Sequence, residues 1–358
     1  SKGGNHKEAI QNLKIALIHA DDKVDIWSMM GMEYLYLDDF ENARLSFAKC
    51  IEVDYEDYSS LYNVVYCFDM EKDHEQAISF LNAYLDKNPY SEVAWHQLGR
   101  QYFVLDRFKE ALTCFDYAVL IDESFIGGYL EKAKTYEQLG EFEDAIKNYM
   151  LTLELDDPTA FAFVRIGECY QKIGQLDEAI SYYKKSVHED PLLDKGWILL
   201  TEAYYVQEDY QKALYYISKA LKIDESNALY WRKYSDINIK LSFFEEAIKG
   251  FENCIDLKDY SIEIYIALAD VLLFIGDFND ALKVLISAQK IYKDFAEIEY
   301  RLSGLFFILN KESYGFTHLI NGMKIDYEYH SIIAELFPTV HDNLEVQKLI
   351  KNYKKAME

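Results

Sequence analysis

EVAWHQLGRQYFVLDRFKEALTCFDYAVLIDESF, residues 92–125, carries two amphipathic stripes separated by a short break. Trp95, Leu98, Gly99 and Tyr102 fall at i, i+3, i+4 and i+7, the spacing that lines one face of an α-helix. Leu105-Asp106-Arg107-Phe108 interrupts the pattern as a turn. Ala111, Phe115 and Ala118 then form a second stripe at steps of four and three, closed by Asp122. The spacing predicts two antiparallel helices joined by a tight connection. Small residues at Gly99 and Ala111 let the two helices approach closely, with Trp95 and Tyr102 lying across the hairpin and its neighbours. One such hairpin cannot bury both its faces, so it must stack on others.

The rest of the chain supplies them. Ala9, Ala43, Ala77, Ala111, Ala145, Ala179, Ala213, Ala247 and Ala281 stand 34 residues apart without insertion or deletion, and one more step lands on Gly315. An unbroken period of this length is the signature of a solenoid, because each unit is one supersecondary element stacked on the last. With positions numbered from the first residue of a unit, Trp27, Trp95, Trp197 and Trp231 all fall at position four. Tyr34, Phe68, Tyr102, Tyr136, Tyr170 and Tyr204 all fall at position eleven. The segment before the key alanine reads LDDFENA, EKDHEQA, LDRFKEA, LGEFEDA, IGQLDEA, QEDYQKA, LSFFEEA and IGDFNDA in successive units.

Trp, Leu, Gly and Tyr in the first helix, then Ala, Phe and Ala in the second, at this period, resemble the tetratricopeptide repeat. The resemblance implies an all-α, right-handed superhelical solenoid of stacked antiparallel helix pairs. Eight full units are expected at 24–57, 58–91, 92–125, 126–159, 160–193, 194–227, 228–261 and 262–295. A degenerate ninth at 296–329 keeps Leu302 and Leu319 but has Gly315 where alanine belongs. Pro89, Pro191 and, one residue later, Pro158 stand where the family commonly ends its second helix, since proline cannot continue one. Residues 1–23 match only a second helix, with Ala9 and Ala16 on its stripe, so the sequence reads as part of a longer protein. Residues 330–358 read as capping helices, the last with Val346, Leu349, Ile350 and Tyr353 inward and Lys348, Lys351, Lys354 and Lys355 mostly outward. Local looseness is expected where Lys132 replaces leucine at position seven and where Asn238 and Leu272 replace the aromatic at position eleven. Gly127-Gly128 opens the first helix of the fourth unit, where glycine weakens helix formation.

Composition narrows the function. With 37 basic and 62 acidic side chains the net charge is −25, which repels phosphate backbones and argues against nucleic acid and anionic membranes as partners. No apolar run approaches the roughly 18 residues of a membrane span. The five cysteines (Cys50, Cys67, Cys114, Cys169, Cys254) form no CxxC or metal spacing. Reduced core thiols favour a reducing compartment, and a cytoplasmic location is expected. The chain has no GxxxxGK[ST], GxGxxG, HExxH or GxSxG. Its carboxylate pairs, such as Asp38-Asp39 and Glu245-Glu246, recur at the inter-helix turn of successive units as a solvated turn would. No enzyme activity, cofactor or metal is expected.

What remains is a surface. The resemblance implies a concave groove lined by the first helices through positions two, five, nine, twelve and thirteen. Carried over residue by residue, this gives Tyr62, Tyr66, His96, Arg100, Phe103, Lys134, Gln138, Glu168, Gln171, Lys172, Glu202, Tyr205, Asp236 and Asp270, with Met70, Arg232 and Phe274 among their neighbours. Position nine reads Met32, Tyr66, Arg100, Lys134, Glu168, Glu202, Asp236, Asp270: apolar, then basic, then acidic. It has no asparagine, so neither the carboxylate clamp of chaperone-tail binders nor the asparagine ladder of glycosyltransferase-type superhelices is expected. The reading is a non-catalytic scaffold for an extended peptide or partner protein, its acidic part near Arg100 and Lys134 and basic segments further along. The alternatives are a targeting or regulatory arm of a longer enzyme or sensor whose other domain lies upstream of residue 1, and a module that self-associates through its terminal helices.

Overall fold

The computed structural model describes residues 4–20 and 23–357. Ser1 to Gly3, Asp21, Asp22 and Glu358, which belong to the expected first half-unit and final cap, lie outside the described residues. The chain forms two compact units, Ser1–Asp190 and Pro191–Glu358. Among the described residues all regular structure is helical.

The first unit opens with α1 (His6–His19). Five antiparallel pairs follow: α2 (Val24–Leu35) with α3 (Phe40–Val53), α4 (Tyr58–Glu71) with α5 (His74–Leu85), α6 (Glu92–Val104) with α7 (Phe108–Ile121), α8 (Ile126–Leu139) with α9 (Phe142–Leu155), and α10 (Ala160–Lys172) with α11 (Leu176–Glu189). The second unit holds α12 (Asp194–Val206) with α13 (Tyr210–Ile223), α14 (Ala228–Lys240) with α15 (Phe244–Asp256), α16 (Ile262–Ile275) with α17 (Phe278–Ile291), and α18 (Ala296–Ile308) with α19 (Glu312–Ile325). A 3₁₀ turn, Tyr327–His330, leads to α20 (Ser331–Leu336), α21 (Pro338–His341) and α22 (Leu344–Met357). Within each unit the second helix of a pair packs on the first helix of the next, so each unit is an all-α solenoid of stacked hairpins.

Each hairpin turns by one device. Position fifteen adopts a left-handed conformation at Asp38, Lys72, Asp106, Gly140 and Gly174 in the first unit and at Glu208, Ser242, Gly276 and Asn310 in the second. The next residue donates its N–H back to the carbonyl at position eleven, from Asp39 to Tyr34 through Lys311 to Phe306, at 2.8–3.0 Å. This is the Schellman arrangement, which satisfies a carbonyl the helix end would otherwise leave bare. The residue that makes this bond is also the N-cap of the following helix. In α3, α5, α13 and α17 it is aspartate (Asp39, Asp73, Asp209, Asp277), whose side chain accepts a backbone N–H three residues on. The turn therefore has a fixed length, set by backbone bonds.

The waist of each hairpin is set by size. The repeat alanines Ala43, Ala77, Ala111, Ala145 and Ala179, and Ala213, Ala247 and Ala281 in the second unit, have no solvent exposure. Across from Ala43, Ala111 and Ala179 a ring at position 24 enters a hollow at position eight. A Cβ on Gly31 would lie 2.6 Å from the Phe47 ring, and one on Gly99 or Gly167 would be overlapped by Phe115 or Tyr183. Gly128 follows the same logic between pairs: a Cβ there would stand 2.5 Å from Val119 Cγ1, so the glycine that weakens the start of α8 seats it closely on α7.

The expected weak points are packed. Lys132 turns its side chain, 14% exposed, onto Asp116 at 2.7 Å. Leu272 is buried, and buried Asn238 donates to the Tyr234 carbonyl at 2.8 Å while its Oδ1 has no hydrogen-bond partner. Helices α8, α14 and α16 run through these substitutions unbroken. At the start of the chain α1 packs on α2 through Ile10, Leu13 and Leu17; Ala16, expected on that stripe, is exposed. At the far end Gly315 is small because the Phe307 ring occupies the space of a Cβ, and Gly304 takes the ring of buried Phe337 from the closing segment. Val346 of α22 is fully buried, with Leu349, Ile350 and Tyr353 packed on the same core, while the four lysines of this helix are exposed.

Two measurements test this account. Gly99→Val should lower the unfolding free energy, read from urea denaturation, by about 1–3 kcal/mol, because the added side chain overlaps the fully buried Phe115 ring. Glu208→Gly should raise it by about 0.5–1 kcal/mol by relieving a left-handed non-glycine residue.

Candidate functional site

The first helix of a pair buries one face against its partner helix and leaves the other to solvent. On α4 the buried side is Leu61, Val64, Val65 and Phe68, and the open side is Tyr62, Tyr66 and Met70, which are 42%, 47% and 48% exposed. On α2 Met29 and Met32 are exposed likewise, with Tyr36 at the helix end. Six large apolar side chains on two successive first helices thus stand in water. Arg100 of α6 is exposed and donates to Gln97 Oε1 at 3.2 Å. Phe103, partly buried, meets Phe108 edge-on at 5.4 Å.

His96 is only partly exposed. Its ring lies 5.9 Å from that of Phe115 and 5.2 Å from that of Phe125, and its buried Nε2 has no hydrogen-bond partner. Gln97 donates to Nδ1 at 3.4 Å. Burial pulls the imidazole pKa down to about 4; Glu131 opposes that shift, and Arg100 and Lys134 add to it. His96 is therefore neutral at physiological pH and acts as a packed aromatic group.

The charged row is partly spent inside the molecule. Lys134 Nζ pairs with Glu131 at 2.8 Å. Arg165 of α10 reaches Glu168 at 2.8 Å and also Glu137, one unit back. In the second unit Arg301 of α18, almost fully buried, forms a two-pronged bond to both carboxylate oxygens of Asp270 at 2.8 Å each. Gln171 accepts the Tyr183 hydroxyl at 2.7 Å, which ties it to α11. Glu137, Gln138, Arg165, Glu168 and Lys172 come together around a shallow cavity of about 290 Å³ between α8 and α10. Glu202 and Asp236 come together with Arg232 and Lys233 around one of about 370 Å³ between α12 and α14. Burial raises the Asp236 pKa against the pull of Arg232, Lys233 and Lys240. Tyr205 packs edge-on against Tyr210 at 5.4 Å, with the Lys233 ammonium 5.2 Å from its ring centre.

Arg165 and Arg301 were missed in the sequence, although both sit at position six. Their signal is an arginine a few residues short of one full period after an acid, a spacing that places the two side chains on adjacent first helices.

All five cysteines are free and buried. Burial pushes Cys67 and Cys169 up to about 11 and Cys114 and Cys254 to about 12, and raises Cys50 too, so each is a neutral thiol. Among the described residues no helix is long and apolar enough to cross a membrane. Nor do any three His, Cys, Asp or Glu side chains group to hold a metal ion.

Two tetratricopeptide repeat family models match the sequence, one over residues 28–92 and the other over 126–158 and again over 162–191. The chain is a tetratricopeptide repeat protein. No curated protein matches its sequence. Among solved structures it is similar to the C-terminal part of a TPR repeat-containing protein from Cytophaga hutchinsonii. That likeness has a TM-score of 0.55 and 15% identity, covering 66% of this chain and 98% of the other. A tetratricopeptide repeat protein from Parabacteroides merdae matches with a TM-score of 0.46 and 14% identity, over 68% of this chain and 97% of that one. YrrB, described as a TPR protein with an unusual peptide-binding site, matches with a TM-score of 0.44 and 15% identity, over 52% and 95%. At these identities the likeness concerns the fold. The matched stretches coincide with hairpins described above, and the first helices of the hairpins carry the candidate surface.

The buried imidazole gives a pH test. The folded-state pKa of His96 lies below the usual value near 6.5, so between pH 6.5 and 4 the unfolded chain takes up a proton that the folded chain refuses. Its contribution is fully present above pH 6.5 and is lost as pH falls towards 4. His96→Leu should remove that part of the acid loss, up to roughly 3 kcal/mol, measured as the difference between variant and wild type in urea unfolding at pH 7.5 and pH 4.5.

Proposed function

We propose that this tetratricopeptide repeat protein is a non-catalytic scaffold that holds an extended peptide, or an extended segment of a partner protein, along the open faces of its first helices. The observation that carries this reading is the stripe of Tyr62, Tyr66 and Met70 on α4. These side chains remain about half exposed on a helix whose opposite face is fully packed. A folded chain gains nothing from holding such side chains in water, and a partner that covers them recovers their hydrophobic free energy. The stacked units hold the surface in place before a ligand arrives, so less conformational freedom is lost on docking.

In this reading the units run with the boundaries expected from the sequence. Arg100 and Lys172 offer positive charge in the first unit, and Glu202 and Asp236 offer negative charge in the second. Lys134, Glu168 and Asp270 shape the surface through their internal pairs more than through net charge. The ligand is an apolar or aromatic segment with an acidic group near Arg100, and segments that meet Glu202 and Asp236 are basic. A net charge of −25 supports a protein partner over nucleic acid or an anionic membrane. Five neutral, buried thiols suit a reducing compartment, and we assign the cytoplasm.

Selecting random peptides on the whole chain tests the proposal. Sequences rich in aromatic or aliphatic side chains next to a carboxylate should be enriched. Tyr62→Ala with Tyr66→Ala should weaken the best of them about tenfold or more, and Arg100→Glu severalfold. Peptides that bind both variants as well as the wild type would refute the assignment of the surface.

A further inference from the structure

The second helices, away from the surface just described, carry a cleft that the repeat rule does not explain. It lies between α7 and α9, holds about 500 Å³, and is floored by Val119, Leu151 and Leu155 and edged by Leu120. Leu120 is 74% exposed, Leu155 40% and Leu151 37%. Glu123 and Glu154 rim it together with Asp116, which pairs with Lys132 at 2.7 Å, and no basic side chain lines it.

Two 34-residue steps earlier the same place lies between α3 and α5, and there it is closed. The residues at corresponding positions are Glu52 for Leu120, Tyr55 for Glu123, Ala83 for Leu151, Tyr84 for Thr152 and Lys87 for Leu155. The Tyr84 hydroxyl donates to the Tyr55 carbonyl, the two rings lie 6.2 Å apart, and the Lys87 ammonium stands 5.8 Å from the centre of the Tyr55 ring. Only about 170 Å³ remains. Between α7 and α9 both tyrosine plugs are gone, the lysine has become leucine, and leucines replace a glutamate and an alanine.

Loss of the plug alone would leave small polar residues. Here it coincides with added leucines and an acidic rim, a pairing that favours one chemistry. We propose that the cleft between α7 and α9 is a second docking surface, which takes a partner-protein segment bearing leucine-sized side chains flanked by lysine or arginine. The volume lies within the range of built binding pockets, roughly 300–1,000 Å³. The carboxylate rim selects basic flanks and speeds their encounter. It also disfavours the acidic body of a second copy.

The probe is a fluorescein-labelled amphipathic Leu/Lys peptide of about 14 residues, read by anisotropy against the whole chain at physiological salt, with a Leu/Glu peptide of the same pattern beside it. The Leu/Lys peptide should bind and the Leu/Glu peptide should not. Transplanting the plug as Glu123→Tyr with Leu155→Lys should weaken binding tenfold or more. Glu41→Lys, the same change of +2 on exposed α3, should alter it less than twofold. Leu120→Glu, at a side chain largely in water, provides a second variant should the double change disturb folding, which circular dichroism would show. A benzophenone on the peptide should cross-link to α7 and α9. Equal loss in Glu41→Lys and the plug variant, or cross-links on α4 and α6, would overturn the proposal. A concentration-dependent dimer abolished by Leu120→Glu would overturn it in favour of a second copy.

Discussion

Each hairpin is held at its waist by a side chain at position 24 pressed into whatever space position eight leaves. Where position 24 is Phe47, Phe115 or Tyr183, position eight is Gly31, Gly99 or Gly167, and the ring takes the volume of the absent Cβ. Where position 24 shrinks to Leu81 or Ile217, position eight grows to Val65 or Thr201, and all four are buried. In these five hairpins the two helices approach by a reciprocal choice of volumes, as close-packed interiors require. The repeat alanine beside this contact is small because the helix axes are then too near for anything larger. Faces left over on both sides of the hairpin are what the next pair covers, so the stack follows from the waist.

The unvarying period has a second cause, in the backbone. The bond from position sixteen to the carbonyl at position eleven closes every turn on one left-handed residue. An inserted or deleted residue would break that bond and turn the second helix so that its alanine no longer faces position eight. The turn tolerates Asp38, Lys72, Asp106, Glu208, Ser242 and Asn310 in a conformation that glycine adopts more easily. Packing of the two helices over-determines the geometry, and the local strain of order 1–2 kcal/mol is carried by the contacts on either side.

Function has to be written in what these two constraints leave free, and the free positions divide into two sets. On the first helices, arginines at position six reach back to acids of the preceding repeat, so charges that look available in a list are engaged with one another. The tyrosine and methionine side chains on the open face of α4, by contrast, stand about half in water. On the second helices the same cleft recurs with different fillings, tyrosines and a lysine between α3 and α5, leucines and carboxylates between α7 and α9. A repeat protein can in this way change one surface without disturbing its stack, because each cleft is lined by positions that the waist and the turn do not use.

Much of this was legible in the chain as written. The 34-residue interval, the tryptophans at position four and the aromatic residues at position eleven determine helix pairs and their order, because helical periodicity and turn length are local properties. Even the left-handed residue left a trace in Gly4, Gly140, Gly174 and Gly276, which share position fifteen. What the tertiary structure alone decided is which side chains are spoken for. Lys132 reads as a flaw and is a partly buried ion-pair partner. His96 reads as a groove residue, and its ring is packed between Phe115 and Phe125. Asp270 reads as free charge and is clasped by Arg301 from the next repeat. A cleft filled by Tyr55 and Tyr84 in one place stands open beside Leu120 in another. These outcomes depend on distances between residues that different helices and turns bring together, and a linear pattern carries residue types along one helix but not the separation between neighbouring ones.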